Sequence, residues 1–238
     1  MNDIDTPKDP LWPIRWQKGW NLMNNAFGIL KAQRVIPIVR TQTREEAYTI
    51  VRALDRAGFH LIELTMTTPD VLPLIKQCRH EFPHLTIGVG TLRTVDQARQ
   101  AIDVGASLLI TYKASEDVAD IGTQKGVPYI LGAATPTEVD HCLELGSGIV
   151  KWFPASLTGP QILRDLHGPM PEAEFFPTGG ITVATMGHWF KAGAIAVGIG
   201  GDLTRGGGNL GATVEEQARK ALQLAAYPEI FPHEPQGG

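Results

Sequence analysis

The chain has 238 residues, 43% of them hydrophobic and 19% charged, and a formal net charge of -4. That balance is the one found in ordinary globular proteins, and it offers no electrostatic attraction to nucleic acid or to an anionic membrane surface. No run approaches the roughly 18 apolar residues of a membrane span, so neither nucleic acid nor membrane is expected as a partner.

The N-terminal stretch MNDIDTPKDPLWPIRW is polar and interrupted by proline, without the apolar core of a secretory signal. Cys78 and Cys142 form no disulfide framework and read as free thiols of a reducing compartment, so a cytoplasmic location is expected. The seven histidines are scattered, with no HExxH and no close Cys/His spacing, and no metal site is expected.

Taken in chain order, LWPIRWQKGWNLMNNAFGILKAQR predicts an amphipathic helix from about Gln17 to Gln33. Short β-rich runs follow at Val35–Val39, His60–Thr65, Leu85–Gly90, Ser107–Thr111, Val127–Gly132, Gly148–Phe153, Phe175–Thr178 and Ala194–Gly200. Each is apolar almost throughout rather than alternating, as in parallel strands covered on both faces. Between them, Thr43–Glu46, Thr94–Gln97, Thr135–Glu138 and Thr213–Glu216 match the capping box that opens a helix, with Pro136 at the favoured first position. Glycines at 58, 105, 126, 146 and 193 are placed to end helices before the next strand.

Strand–helix units repeating every ~20–27 residues predict an α/β fold, a (β/α)8 TIM barrel with an extra N-terminal helix. A doubly wound sheet is the competitor, but no G-x-G-x-x-G follows the first strand. The expected organisation is an N-terminal extension over residues 1–34, a barrel over 35–226 and an extended tail over 227–238. The extension is expected to close the N-terminal end of the barrel or to pack on a neighbouring subunit.

Barrels carry their chemistry at the C-terminal ends of the strands. Two charged residues, Glu63 in HLIELT and Lys151 in GIVKWFPAS, lie inside otherwise apolar strands. One reading is structural: a carboxylate locked to a cation, and a lysine stem reaching to the barrel mouth. The other is chemical. A desolvated lysine can shed its proton and attack a ketone to make a Schiff base, an electron sink. A carboxylate beside it can move protons to and from the neighbouring carbon. Ile149, Val150, Trp152 and Phe153 are expected to keep that lysine dry. Lys113, in ITYKAS, is a rival imine-forming lysine, set in a more polar stretch.

PTGG at Pro177–Gly180 and GIGGDLTRGGGN after the eighth strand place glycines where barrels commonly hold phosphate on backbone N–H groups. Arg205 can add charge there or remain a solvated loop arginine. Arg40, which ends IPIVR, can pair with a substrate carboxylate or with a surface acid.

The motifs IPIVR, IELTMTTPD, VGTLRTVDQA, TPTE, VKWFPAS, HGPMPEAEFFPTGGIT and VGIGGDL follow one another from about Val35 to Leu203. Together they resemble the class I 2-keto-3-deoxy-6-phosphogluconate / 4-hydroxy-2-oxoglutarate aldolase family. The resemblance implies a homotrimeric barrel that cleaves a 2-keto-4-hydroxy acid to pyruvate and an aldehyde, using no cofactor beyond a covalent lysine imine. It implies Lys151 as the imine-forming residue, Glu63 as general acid/base, Thr91 and Thr178 in the pyruvate pocket and Phe153 beside the imine. Gly179 and Gly180 would bind phosphate, with Gly200 and Gly201 completing that rim and Arg40 on the carboxylate. Thr67, a candidate substrate-binding residue, stands where the family often has arginine, and Gly201 where it often has serine. LTGPQ and the GIGGDL loop lean toward phosphogalactonate-type relatives. Oxaloacetate decarboxylation is an expected side activity. A non-catalytic metabolite-binding barrel and a phosphate-binding isomerase using Glu63 as base are the alternatives.

Overall fold

The computed structural model describes residues 20–227, with side chains in the first helix from Ala26 onward. The start of the expected N-terminal helix, before Trp20, and the tail beyond Tyr227 lie outside the described residues. Seven parallel strands are present: β1 (Val35–Val39), β2 (Leu61–Thr65), β3 (Thr86–Gly90), β4 (Leu108–Ile110), β5 (Tyr129–Ala133), β6 (Val150–Trp152) and β7 (Val197–Ile199). They form one curled sheet in the order β6-β5-β4-β3-β2-β1-β7.

Helix α1 (Trp20–Gln33) precedes β1. Helices α2 (Arg44–Ala57), α3 (Val71–Glu81), α4 (Val95–Asp103), α5 (Glu116–Lys125) and α6 (Pro136–Glu144) connect successive strands up to β6. Beyond β6 come α7 (Gln161–His167) and α8 (Met186–Lys191), and after β7 the short α9 (Gly201–Thr204) and α10 (Leu210–Ala226).

Phe175–Thr178, expected as a full strand, forms isolated bridges instead, Val150 to Phe175 and Thr178 to Gly198. Pro177, which has no N–H to give, interrupts the segment. Its backbone is nonetheless hydrogen-bonded on both sides. Phe176 and Thr178 donate to Val150 and Trp152, and Ile195 and Gly198 donate to Phe175 and Pro177.

Local chemistry accounts for most element boundaries. Thr43, Thr94 and Thr135 each accept the backbone N–H three residues on, opening α2, α4 and α6. The fourth expected start, at Thr213, lies inside α10. Asn209 caps that helix by accepting from Ala212 N–H, so the chain turns helical about one turn earlier. The five glycines expected to end helices all have positive φ, which any other L-residue would adopt with strain.

Strand alternation sorts the apolar residues into two layers. Ile62, Leu64, Val150 and Trp152 face outward and pack with the helices. Ile36, Leu61, Leu108, Ile110, Ile130, Ile149, Phe176 and Ala196 face inward and fill the floor of the curl. Ala26 and Leu30 of α1 seal that floor from below. Gln33, at the end of α1, donates to the carbonyls of Val35 and Leu61 and accepts from the N–H groups of His60 and Leu61. These contacts set α1 against the N-terminal ends of β1 and β2.

Candidate active site

Strand periodicity puts Glu63 and Lys151 on the inner face. In β2 the side chains of Ile62 and Leu64 go outward and Leu61 goes to the floor, which leaves Glu63 inward, one step above the floor. In β6 the outward pair Val150 and Trp152 leaves Lys151 inward, above Ile149. The two side chains meet across the curl, with Lys151 Nζ 3.3 Å from each carboxylate oxygen of Glu63. Lys151 is 4% exposed and Glu63 0%. A charge pair this deep costs much of its Coulomb gain in desolvation, so packing alone gives little reason to keep it. Lys151 Nζ also lies 5.9 Å from the centroid of the Phe176 ring.

The surroundings of the amine differ from the sequence expectation. Val150 and Trp152 pack among the helices on the far side of the strand and do not wall it. Its apolar neighbourhood comes from the Ile149 and Phe176 floor below, together with Ile38 and Phe153 in the cavity wall.

Glycine supplies the room for this pair. A Cβ at Gly90 would stand inside the volume of the Glu63 carboxylate. At Gly198 it would lie 2.7 Å from Thr178 Oγ1 and 2.8 Å from Ile38 Cδ1. At Gly132, in register with Lys151, it would run into the backbone of Tyr112. Each of these three positions sits on a strand beside the reacting groups.

Above the pair lies a cavity of about 660 Å³. Arg40, Thr91, Phe153, Thr178, Gly179, Gly180, Gly200 and Gly201, all expected from the sequence, line it together with Lys151 and Glu63. Arg40 makes no bond to Glu63. Its Nη2 donates instead to Thr91 Oγ1 at 3.0 Å. Thr91 holds φ at +61°, an unusual value for a β-branched residue and the kind of local strain that concentrates at functional sites. The Phe153 ring lies against Gly179, where a Cβ would come within 3.3 Å of it.

Thr67 does not line the cavity. It is exposed, and its hydroxyl bonds to that of Thr65 at 3.0 Å. The rival Lys113 is exposed and also outside the lining. The sequence reading missed Ile38, Tyr112, Thr182, Asp202 and Thr204, which do line it, and left the place of Arg205, another lining residue, open. Asp202 Oδ2 accepts from Val183 N–H at 2.7 Å, tying the loop after Thr178 to the turn after β7. The clue to Asp202 and Arg205 was GIGGDLTR itself, whose polar residues follow the glycines directly.

An amine and a carboxylate in contact, buried inside parallel strands beneath an open cavity, are the groups that a lyase acting on carbonyl compounds needs. Comparison with known proteins agrees. The family model "KDPG and KHG aldolase" matches residues 27–209. A 2-dehydro-3-deoxy-phosphogluconate aldolase of Treponema pallidum (strain Nichols) is 34% identical over 168 residues, 70% of this chain and 80% of that one. A 2-dehydro-3-deoxy-6-phosphogalactonate aldolase of Escherichia coli (strain K12) is 30% identical over 201 residues, covering 83% and 94%. Among solved structures, a KDPG aldolase of Legionella pneumophila, with pyruvate captured as a covalent carbinolamine intermediate, aligns with a TM-score of 0.70 and 26% identity over 83% of this chain and 95% of that one. The chain belongs to the KDPG and KHG aldolase family and is an aldolase. That membership disfavours the isomerase and the non-catalytic readings.

Proposed function

We propose that this chain cleaves a 2-keto-3-deoxy-6-phospho sugar acid, or the related 4-hydroxy-2-oxoglutarate, to pyruvate and an aldehyde through an imine on Lys151. The observation that carries the assignment of residues is the 3.3 Å contact between Lys151 Nζ and both oxygens of Glu63. Glu63 is placed to take a proton from the lysine, freeing its lone pair to attack the C2 ketone. The carbinolamine then loses its hydroxyl as water, with the proton returned by the same carboxylate, and the iminium forms.

In the iminium, Glu63 accepts the proton of the C4 hydroxyl while the C3–C4 bond breaks. Its electron pair flows into the iminium as an enamine, and the aldehyde departs. The carboxylate delivers its proton to C3, and water releases pyruvate and the free lysine. One buried acid/base serves each transfer because every proton moves within reach of one point. Arg40, held by Thr91 at the cavity edge, suits the keto acid's carboxylate. Phe153 and Thr178 flank the amine, and the glycine loops face the other end of the substrate.

The hydrogen-bonded Phe175–Thr178 segment between β6 and β7 supports a closed (β/α)8 barrel. Family membership supports a homotrimer. The absence, among the described residues, of a helix able to cross a membrane and the two buried free cysteines fit a cytoplasmic enzyme.

Borohydride reduction in the presence of pyruvate is expected to add mass to the peptide holding Lys151. Labelling at another lysine, or none, would sink the assignment. Assays with oxaloacetate should show slow decarboxylation, since the same imine accepts that carbanion.

A further inference from the structure

Tyr112 lines the cavity, yet the mechanism leaves it idle. It lies in the turn after β4, and that turn is clipped onto β5. The Gly132 N–H donates to the Lys113 carbonyl and to Thr111 Oγ1, each at 3.2 Å. Thr111 Oγ1 in turn donates to the Lys113 carbonyl at 2.5 Å. A Cβ at Gly132 would run into the Tyr112 carbonyl carbon and lie 2.6 Å from its Cα. Gly132 is the β5 residue in register with Lys151. The bare glycine therefore seats Tyr112 one strand away from the reacting amine.

The phenol is uncommitted. Tyr112 is half-buried, its hydroxyl is open to the cavity, and its side chain makes no hydrogen bond among the described residues. Other polar groups of the same wall are engaged: Arg40 with Thr91, Lys151 with Glu63, and Asp202 with the Val183 N–H. A tyrosine kept for its ring alone would serve no better than phenylalanine. A phenol O–H without a protein partner, beside a buried reacting pair, is a donor for something that enters.

The substrate has one group left to match it. Its carboxylate faces Arg40, Lys151 holds C2, the C4 hydroxyl gives its proton to Glu63, and the glycine loops meet the far end. What remains is the hydroxyl on C5, one carbon beyond the bond that breaks, which becomes the α-hydroxyl of the released aldehyde. We propose that Tyr112 is a specificity-determining residue whose phenol hydrogen-bonds this hydroxyl, so that the enzyme selects α-hydroxyaldehydes as the partner of pyruvate. The inference rests on the aldolase reading and deepens it.

The test is aldol addition of pyruvate to D-glyceraldehyde 3-phosphate and to the same aldehyde without its 2-hydroxyl, in the native protein, Tyr112→Phe and Tyr112→Ala. Loss of one neutral hydrogen bond predicts that Tyr112→Phe lowers kcat/KM for the hydroxylated aldehyde by roughly 3- to 10-fold. The deoxy aldehyde should change by less than about twofold, so that the native preference between the two largely disappears. Exchange of pyruvate methyl protons with deuterated water involves no aldehyde and should also stay within about twofold. An equal effect on both aldehydes, or a loss of exchange, would put the phenol on the pyruvate half and overturn the proposal. So would a Tyr112→Phe variant that keeps the native preference, whatever Tyr112→Ala does, because the ring alone then suffices. A native protein that exchanges no pyruvate protons and joins neither aldehyde loses the aldolase reading itself, and this inference falls with it.

Discussion

The floor and the reacting layer of the curled sheet are built from the same strands, two residues apart. Ile36, Leu61, Ile130, Ile149, Phe176 and Ala196 fill the floor with hydrocarbon. Two positions on, the same faces carry Ile38, Glu63, Gly132, Lys151, Thr178 and Gly198. The lower layer is close-packed and dry. The upper one exchanges bulk for two charges and several glycines, and the cavity opens above it. A strand that points every second residue inward lets one layer be tuned for stability and the next for chemistry.

The sharpest way to break this contrast is to strike the upper layer and look for an effect on activity alone. Lys151→Ala is expected to lower kcat by at least about 10⁴-fold and to abolish borohydride labelling, since no other lysine among the described residues lines the cavity. Glu63→Gln should retain labelling by pyruvate while kcat falls by roughly 10²- to 10⁴-fold, the usual worth of a general acid/base. Exchange of pyruvate methyl protons with deuterated water, followed by NMR, reads that loss directly. Retention of full exchange in this variant would assign the proton transfers to another group.

Gly90 and Gly88 sharpen the comparison on a single strand. Gly90→Ala forces the Glu63 carboxylate out of its place, and a loss of ~100-fold in kcat is expected with labelling preserved. A Cβ at Gly88 meets Ile110 and the Ile62 carbonyl at 3.4 Å, so Gly88→Ala should leave kcat within about threefold. Similar kinetics in the two variants would show that Glu63 does not depend on the space beside Gly90.

In the floor the effect should reverse. Leu30→Ala is expected to cost about 2–5 kcal/mol in denaturant unfolding, with kcat of the folded protein nearly unchanged.

The smallest effect concerns the thiols. Burial pushes the thiols of Cys78 and Cys142 up to about 12 each. Both should resist a thiol reagent at pH 8 in the folded protein and react at once in guanidinium chloride. Because the folded value lies above the unfolded one, their contribution to stability is full below about pH 8.5 and is lost as pH rises toward the folded value. An alkaline stability titration compared with the double Cys→Ala variant checks this sign.

Much of the architecture was legible because each element carries its own punctuation. Three threonine caps and five helix-ending glycines stand where the sequence put them. Thr213 misled because Asn209, a better cap, came first. Phe175–Thr178 reads as a strand by composition, yet Pro177 leaves it only bridges. Lys151 and Glu63 were legible as charges out of place in apolar strands. Tyr112, Asp202 and Arg205 were harder, since their role depends on loops that meet only once the sheet has curled. The purpose of Gly90 lay equally out of sight, because the group it accommodates is 27 positions earlier in the chain.

Gln33 sets a practical boundary. Its side-chain amide behaves like one more rung of the sheet, offering hydrogen and oxygen to the leading ends of β1 and β2. Cutting the gene just ahead of Val35 would strip four backbone groups of their partner and uncover the base of the curl. Fusions and shortened versions should therefore begin upstream of α1, which belongs to the folding unit as much as any strand.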